Sequence, residues 1–289
     1  MLLILLSGTQ STDAQRIIDR NLLFNPLADT SVEIQPDERK VFPSVGGWAT
    51  FGNYGVHRDT HHLWYHELGT YLELFRVGDQ RSLAFTTQIE FIADPHNDIN
   101  FNPRAIFWEE GFLYTSNRGG AYLQLGFYHR CKHDIDNLEI GQERSITFGS
   151  ALARVLIPFS ILGNRDAMLG IQFDNYLISW EGRTPDNLDD ISPNWGNMGS
   201  SAMLNFSWQH SLGELGKLHF NSYGMTTMID AEFIYNGRAQ LEIGAATSRA
   251  DARFGIFVER LGDSGIPAEP SGATLVGIGL RAMTPGSLR

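Results

Sequence analysis

Residues 121–143 read AYLQLGFYHRCKHDIDNLEIGQE, and the alternation at their start decides the fold. Leu123, Leu125 and Phe127 fall on one side of an extended chain, and Tyr122, Gln124, Gly126 and Tyr128 on the other. A period of two marks a strand lying between two unlike environments. The apolar side then stops. His129, Cys131 and His133 follow at the same parity, and an acidic loop comes next.

The same period recurs on both sides of this stretch. It predicts strands near 46–56, 63–77, 82–94, 104–116, 145–157, 167–178, 202–211, 217–228, 231–247, 253–261 and 273–283. Leu68 and Leu72 alternate with Glu67 and Tyr71, and Phe85 and Ile89 with Thr86 and Gln88. Ile146, Phe148 and Leu152 stand against Thr147, Gly149 and Ala151, and Ile171 and Phe173 against Gln172 and Asp174. Val258 faces away from Glu259, and Ile278 from Gly277 and Gly279. Connections are short near 79, 119, 164, 214 and 250, and long near 59, 97, 138, 190 and 266. A less clear long connection falls near 230.

Twelve strands with short and long connections in turn match an all-β, antiparallel transmembrane barrel, with short periplasmic turns and long outer loops. Strands of about ten residues cross a bilayer at a tilt. The polar face mixes Gly69, Gly126 and Gly170 with Glu67, Glu73, Arg253 and Arg281. Small residues beside charges of both signs suit a crowded lumen better than the wet face of a sandwich. Leu72, Phe85, Leu125, Phe148, Ile171, Val258 and Ile278 are therefore expected to face lipid.

Composition narrows the function. The 289 residues are 42% hydrophobic and 19% charged, which is not a disordered composition. A net charge of -11 excludes nucleic acid as a partner, because phosphate binding needs clustered Lys and Arg. One cysteine excludes an internal disulfide and a multi-cysteine zinc site. The start, MLLILLSGTQSTDAQR, reads as a secretory signal over 1–14, cleaved after Ala14. Residues 15–45 hold Pro26, Pro36 and Pro43 without a period and read as a periplasmic extension. The barrel then covers 46–283, and 284–289 form a tail.

This pattern resembles the bacterial outer-membrane β-barrel proteins. YHRCKHDIDN (residues 128–137) and LLFNPLADTSVE (residues 22–33) resemble stretches of an uncharacterised outer-membrane family. His129-Arg130-Cys131 is also similar to the His-x-Ser motif of outer-membrane phospholipase A and lipid A deacylase, with Cys for Ser and Lys132 where the phospholipase has Asn. That resemblance implies a nucleophile and base on the outer wall, near the outer leaflet. It also implies a polar residue about a dozen positions later that orients the histidine, which makes Glu143 the candidate.

Three readings of function follow. In the first, the barrel is structural or forms a small pore, lined by Glu67, Glu73, Arg253 and Arg281. In the second, it is a lipid acyl hydrolase with His129, Cys131 and Glu143 as catalytic residues. Positions i and i+2 of a strand share a face, so a base and a nucleophile can meet there. Arg130 or Lys132 would promote the thiolate. In the third, the outer rim binds a divalent cation through His57, His61, His96 and His133, since imidazole suits first-row metals. The expected partners are membrane lipid and lipopolysaccharide, whose phosphates divalent ions on the acidic outer loops would bridge.

Overall fold

The computed structural model describes residues 24–28, 32, 34–56, 62–135, 143–161, 164–184, 194–247, 250–262 and 272–284. The signal expected at 1–14, His57 and His61, and positions 285–289 of the tail lie outside the described residues. A short strand, β1 (Arg39–Val41), precedes twelve longer ones. These are β2 (Val45–Val56), β3 (Trp64–Val77), β4 (Arg81–Asp94), β5 (Asn102–Arg118), β6 (Ala121–Asp134) and β7 (Glu143–Ile161). Then come β8 (Asn164–Thr184), β9 (Met198–Ser211), β10 (Lys217–Ile229), β11 (Glu232–Ala246), β12 (Asp251–Leu261) and β13 (Ala273–Met283).

Strands β2 to β13 each pair antiparallel with the next, and β13 returns to β2 with Met283 opposite Trp48 and Leu280 opposite Phe51. The sheet is therefore a closed twelve-stranded barrel, with no free edge along the wall. Strand β1 runs on along β3 beyond β2, after a break at Phe42 (φ 51°) and Pro43. Thr284 continues the last strand, donating its N–H to the Gly47 carbonyl at 2.9 Å.

The barrel is inside out relative to a soluble protein. Leu125, Ile171 and Ile278 are 47%, 51% and 48% exposed on the outer wall. Their neighbours Gln124 and Gln172 are buried inside, as is Arg281. Leu72 and Phe85 also lie on the outer face, half-buried, and Val258 is exposed there. Phe148 is a correction: it is buried in the lumen, with Ile146 and Leu152, while Ala153, Val155 and Ile157 face out. Ser145 and Thr147 lie on the outer face at that parity, so the two faces of β7 are exchanged relative to the expectation for Phe148.

The alternation of connections holds with one exception. Gly78–Gln80 and Gly119–Gly120 make tight turns, the latter with both residues at positive φ. The long connection expected near 230 is instead the two-residue turn Asp230–Ala231, with φ 50° and 65°. Both centres left-handed is the twist that a two-residue hairpin requires. Asp230 is fixed there by the backbone N–H of Asn194 (3.2 Å) and the side-chain amide of Asn197 (2.6 Å).

The lumen is filled in layers. At the short-turn end, residues 24–28, expected in a periplasmic extension, enter the barrel. Phe24 packs on Tyr71 (centroids 4.6 Å apart) among Trp48, Leu113, Leu152 and Met283. Gln124 donates to the Phe24 carbonyl at 2.7 Å, and Arg76 to the Pro26 carbonyl at 2.5 Å. At the other end Trp195 is fully buried with Ile146, Phe148, Tyr176 and Ile234. Ion pairs run through both end layers and the space between them. Arg76 holds Glu73 (2.7 Å), Arg130 holds Glu90 (3.2 Å), Arg238 holds Glu259 (3.3 Å), and Arg144 holds Glu181. The charges that read as pore-lining are engaged in the same way: Arg253 with Asp251 at 2.7 Å and Arg281 with Glu242 at 3.6 Å. A gap of about 10 Å³ beside Thr50, Tyr65, Arg238 and Arg281 has room for one water.

Candidate functional site

Registers across β5, β6 and β7 set out the outer wall around the histidine motif. Outward positions of β6 are Leu125, Phe127, His129, Cys131 and His133, as the alternation requires. Three rows cross the strands. Ile106, His133 and Ser145 form the first, and Trp108, Cys131 and Thr147 the second. Glu110, His129 and Gly149 form the third. Below it, away from the long loops, the wall becomes apolar at Phe112 and Phe127, both exposed.

His129 and Glu110 are paired across the strands. Nδ1 of His129 lies 2.8 Å from Oε1 of Glu110, and both side chains are partly exposed. A carboxylate accepts only, so this contact puts the proton on Nδ1 and leaves Nε2 as the basic nitrogen. On the other side of His129, Gly149 carries no side chain, and the ring of Phe127 leans over it. Cys131 is half-buried and free, one residue pair along from His129 on the same face. Among the described residues no hydrogen bond joins Cys131 to His129. A second contact stands at the rim, where His133 Nδ1 lies 3.0 Å from the Ser145 hydroxyl.

The sequence motif is thus brought onto one face, and a carboxylate from outside it meets the histidine. Glu143 opens β7 opposite Thr184, and its side chain lies outside the described residues. The carboxylate on His129 is Glu110, nineteen residues before it in sequence and adjacent across the sheet. The signal for Glu110 was an acid in an outward row of Trp108, Phe112 and Tyr114. Its neighbour Glu109 hid the signal, because two acids in succession blur the parity. The expectation for Arg130 and Lys132 is corrected. Both are buried in the lumen, across the strand from Cys131. Arg130 pairs there with Glu90 and Glu109, and the Lys132 ammonium sits 4.3 Å from the Phe107 ring centre.

The metal reading gains no cluster. Among the described residues no three of His, Cys, Asp and Glu gather as a metal-ion site. His96 is exposed in the connection between β4 and β5, with its backbone N–H on Asp94 at 2.8 Å, and His133 is engaged with Ser145.

A closed antiparallel barrel with an apolar outer wall and a polar packed interior, with His129 and Cys131 facing outward, defines the class of this protein. No protein-family model and no curated protein matches the sequence. Among solved structures, it is similar to the outer membrane phospholipase dimer of Salmonella typhi with bound calcium, at 12% identity and a TM-score of 0.49 over 90% of this chain and 97% of that one. It is similar to LpxR from Salmonella typhimurium at 9% identity and a TM-score of 0.44, over 83% and 99% of the two chains. An outer membrane channel from Pseudomonas putida F1 gives 12% identity and a TM-score of 0.43, over 88% and 98%. At these values the likeness concerns barrel outline alone.

Proposed function

We propose that this barrel spans a bacterial outer membrane and hydrolyses acyl esters of membrane lipid at its outer wall. Support for the location comes from the wall itself. A belt that includes Leu125, Ile171, Phe173, Phe254, Ile256 and Ile278 is exposed, far more apolar surface than a soluble barrel leaves in water. Hydrocarbon around the belt removes that cost, and closure pairs each described strand of the wall on both sides. The observation that carries the activity is the His129–Glu110 hydrogen bond on the outer face, with the Cys131 thiol next in line.

The chemistry follows from these groups. Nε2 of His129 takes the Cys131 proton as sulfur bonds to the ester carbonyl carbon. The C–O bond then breaks, and the alcohol leaves with the proton held on Nε2. Water next gives a proton to Nε2 and attacks the thioester carbon. The C–S bond breaks, the fatty acid departs, and the proton returns to sulfur. Glu110 keeps the ring in the required tautomer and faces the imidazolium formed in each half. Base–nucleophile contacts tighten when substrate binds, and this reading requires the Cys131 sulfur to approach Nε2 in that step.

Release of fatty acid from phospholipid in mixed micelles tests this reading. Cys131→Ala and His129→Ala should abolish release, and Glu110→Gln should lower it by about 10²–10⁴-fold, the range of a lost acid–base contribution. Ser145→Ala should leave it near wild type. Equal release by wild type and Cys131→Ala would overturn the thiol mechanism, and loss in Ser145→Ala alone would move the nucleophile to the His133–Ser145 pair. With no release from any lipid, a structural barrel remains, a reading favoured by the filled lumen.

A further inference from the structure

The registers extend the three rows onto β3 and β4. The row of Cys131 continues through Trp108 to Ile89 and Leu68. The row of His129 continues through Glu110 to Thr87 and Thr70. Next comes a row of Phe127, Phe112, Phe85 and Leu72, in which the Phe85 and Phe112 rings lie 5.3 Å apart. Two rows of large apolar side chains therefore flank a row that is small on β3 and β4. Over the small row lies a depression of about 320 Å³, lined on the outer wall by Thr70 and Thr87 and by Leu68, Ile89 and Trp108 of the adjoining row. It lies on the line of the Glu110–His129 pair, with Trp108 shared between depression and site.

We propose that this trough seats one acyl chain of the lipid whose ester reacts at Cys131, a proposal that rests on the hydrolase reading for its reaction but not for its binding. Trough and catalytic pair share one row of the sheet, so a chain lying in it brings its carboxyl end to Glu110, His129 and Cys131. Its walls are hydrocarbon, and its floor carries threonines whose polar atoms need not face the chain. Thr70 donates its hydroxyl to the Gly46 carbonyl at 2.7 Å, leaving its methyl for the trough. The volume falls within the roughly 300–1,000 Å³ of small-molecule sites, enough to grip part of a fatty chain. The rest of the wall around it, at Leu125, Phe127 and Phe112, is bulky and gives a lipid chain only a surface to lie against.

The distal end of the trough is where the idea is testable without touching the catalytic pair. Thr70→Phe puts a ring into the floor two strands from Glu110, and Thr70→Val removes the hydroxyl while keeping the volume. With palmitoyl and butanoyl esters as substrates, Thr70→Phe should lower the palmitoyl-to-butanoyl rate ratio roughly tenfold, the scale set by a few methylenes in an apolar pocket. Thr70→Val should keep the wild-type ratio. A second readout needs no turnover. In Cys131→Ala protein, phospholipid with brominated acyl chains, doped into micelles, should quench Trp108 emission saturably at low mole fraction. The Trp108→Phe difference isolates that signal, and Thr70→Phe should abolish the saturable part. Heat-modifiable gel migration checks that each variant is folded. Quenching that rises linearly with lipid fraction and is the same in Thr70→Phe overturns the trough, whether or not the protein hydrolyses lipid. Saturable quenching without hydrolysis by wild type keeps the chain site and removes the reaction. An unchanged ester ratio with active wild type removes the chain from the reaction.

Discussion

At the scale of single residues, the face a side chain occupies decides what it can do. Leu125 stands 47% exposed on the wall while Gln124, one position back, is buried and bonded to Thr115 and the Phe24 carbonyl. Leu125→Arg puts a guanidinium into the hydrocarbon belt and should destabilise the barrel by about 2–4 kcal/mol if it lies near the midplane. Leu125→Ala should change stability far less, because a small apolar residue still faces lipid. Urea unfolding in lipid vesicles measures both, and equal losses would argue against a lipid-facing wall. The parity of β6 was fully legible in sequence because its two faces differ in character along the whole strand. Strand β7 was not. Ile146, Phe148, Leu152 and Leu156 point inwards, and Val155 and Ile157 outwards, so both faces are apolar and local alternation carries no direction. Its inward apolar residues Ile146, Phe148 and Leu152 find partners inside the lumen, Trp195 and Phe24 among them, and those contacts span long separations in sequence. The site was legible to the same degree. His129 and Cys131 share a strand and their shared face followed from a period of two, whereas Glu110 meets His129 only through a pairing register.

At the scale of elements, the segment at 24–28 is held as a plug by a few contacts with the short-turn half of the lumen. Glu73 gathers Arg76, Ser82 and Ser44 around one carboxylate, and Arg76 passes the hold on to the Pro26 carbonyl. Removing one member of a buried ion pair costs about 3–5 kcal/mol, because the other charge loses its partner. Glu73→Ala should therefore lower barrel stability by that order and release the plug. Phe24→Ala should loosen the plug with a smaller effect on the wall, since no strand loses a ladder bond. Limited proteolysis should then cut within 15–45 faster in both variants, while gel migration shows the barrel of Phe24→Ala intact. Unchanged proteolysis in Phe24→Ala would mean that its packing on Tyr71 does not hold the segment. Nothing in the sequence of 15–45 distinguished a lumen plug from an external extension. Its apolar residues carry no period, and a plug is defined only by the cavity that receives it.

At the scale of the whole molecule, the question is whether the barrel conducts. Strand count and closure were readable from period and connection lengths, and the one misread connection, at Asp230–Ala231, leaves the topology unchanged. The state of the lumen was not readable, because charges of both signs on an inner face suit an open pore and a packed ion-pair interior alike. The geometry separates the two. Arg238 reaches Glu259, Gln240 and the Tyr65 hydroxyl, and its guanidinium lies 3.9 Å from the Phe257 ring centre, so it bridges from β11 to strands elsewhere around the wall. Trp195 stops the opposite side of the long-loop end, and residues 24–28 stop the short-turn end. Wild-type protein in planar bilayers should show no stable conductance step above background. Deleting residues 24–28 removes the described contacts at the short-turn end, so the Arg238 layer and the Trp195 cluster should still hold conductance at background. Combining that deletion with Arg238→Ala and Trp195→Ala opens both ends and one middle layer and should raise conductance above background. Conductance from the wild type would overturn the filled lumen. Conductance from the deletion alone would make residues 24–28 the sole barrier, and the chain would then be a plugged channel whose outer-wall chemistry is secondary.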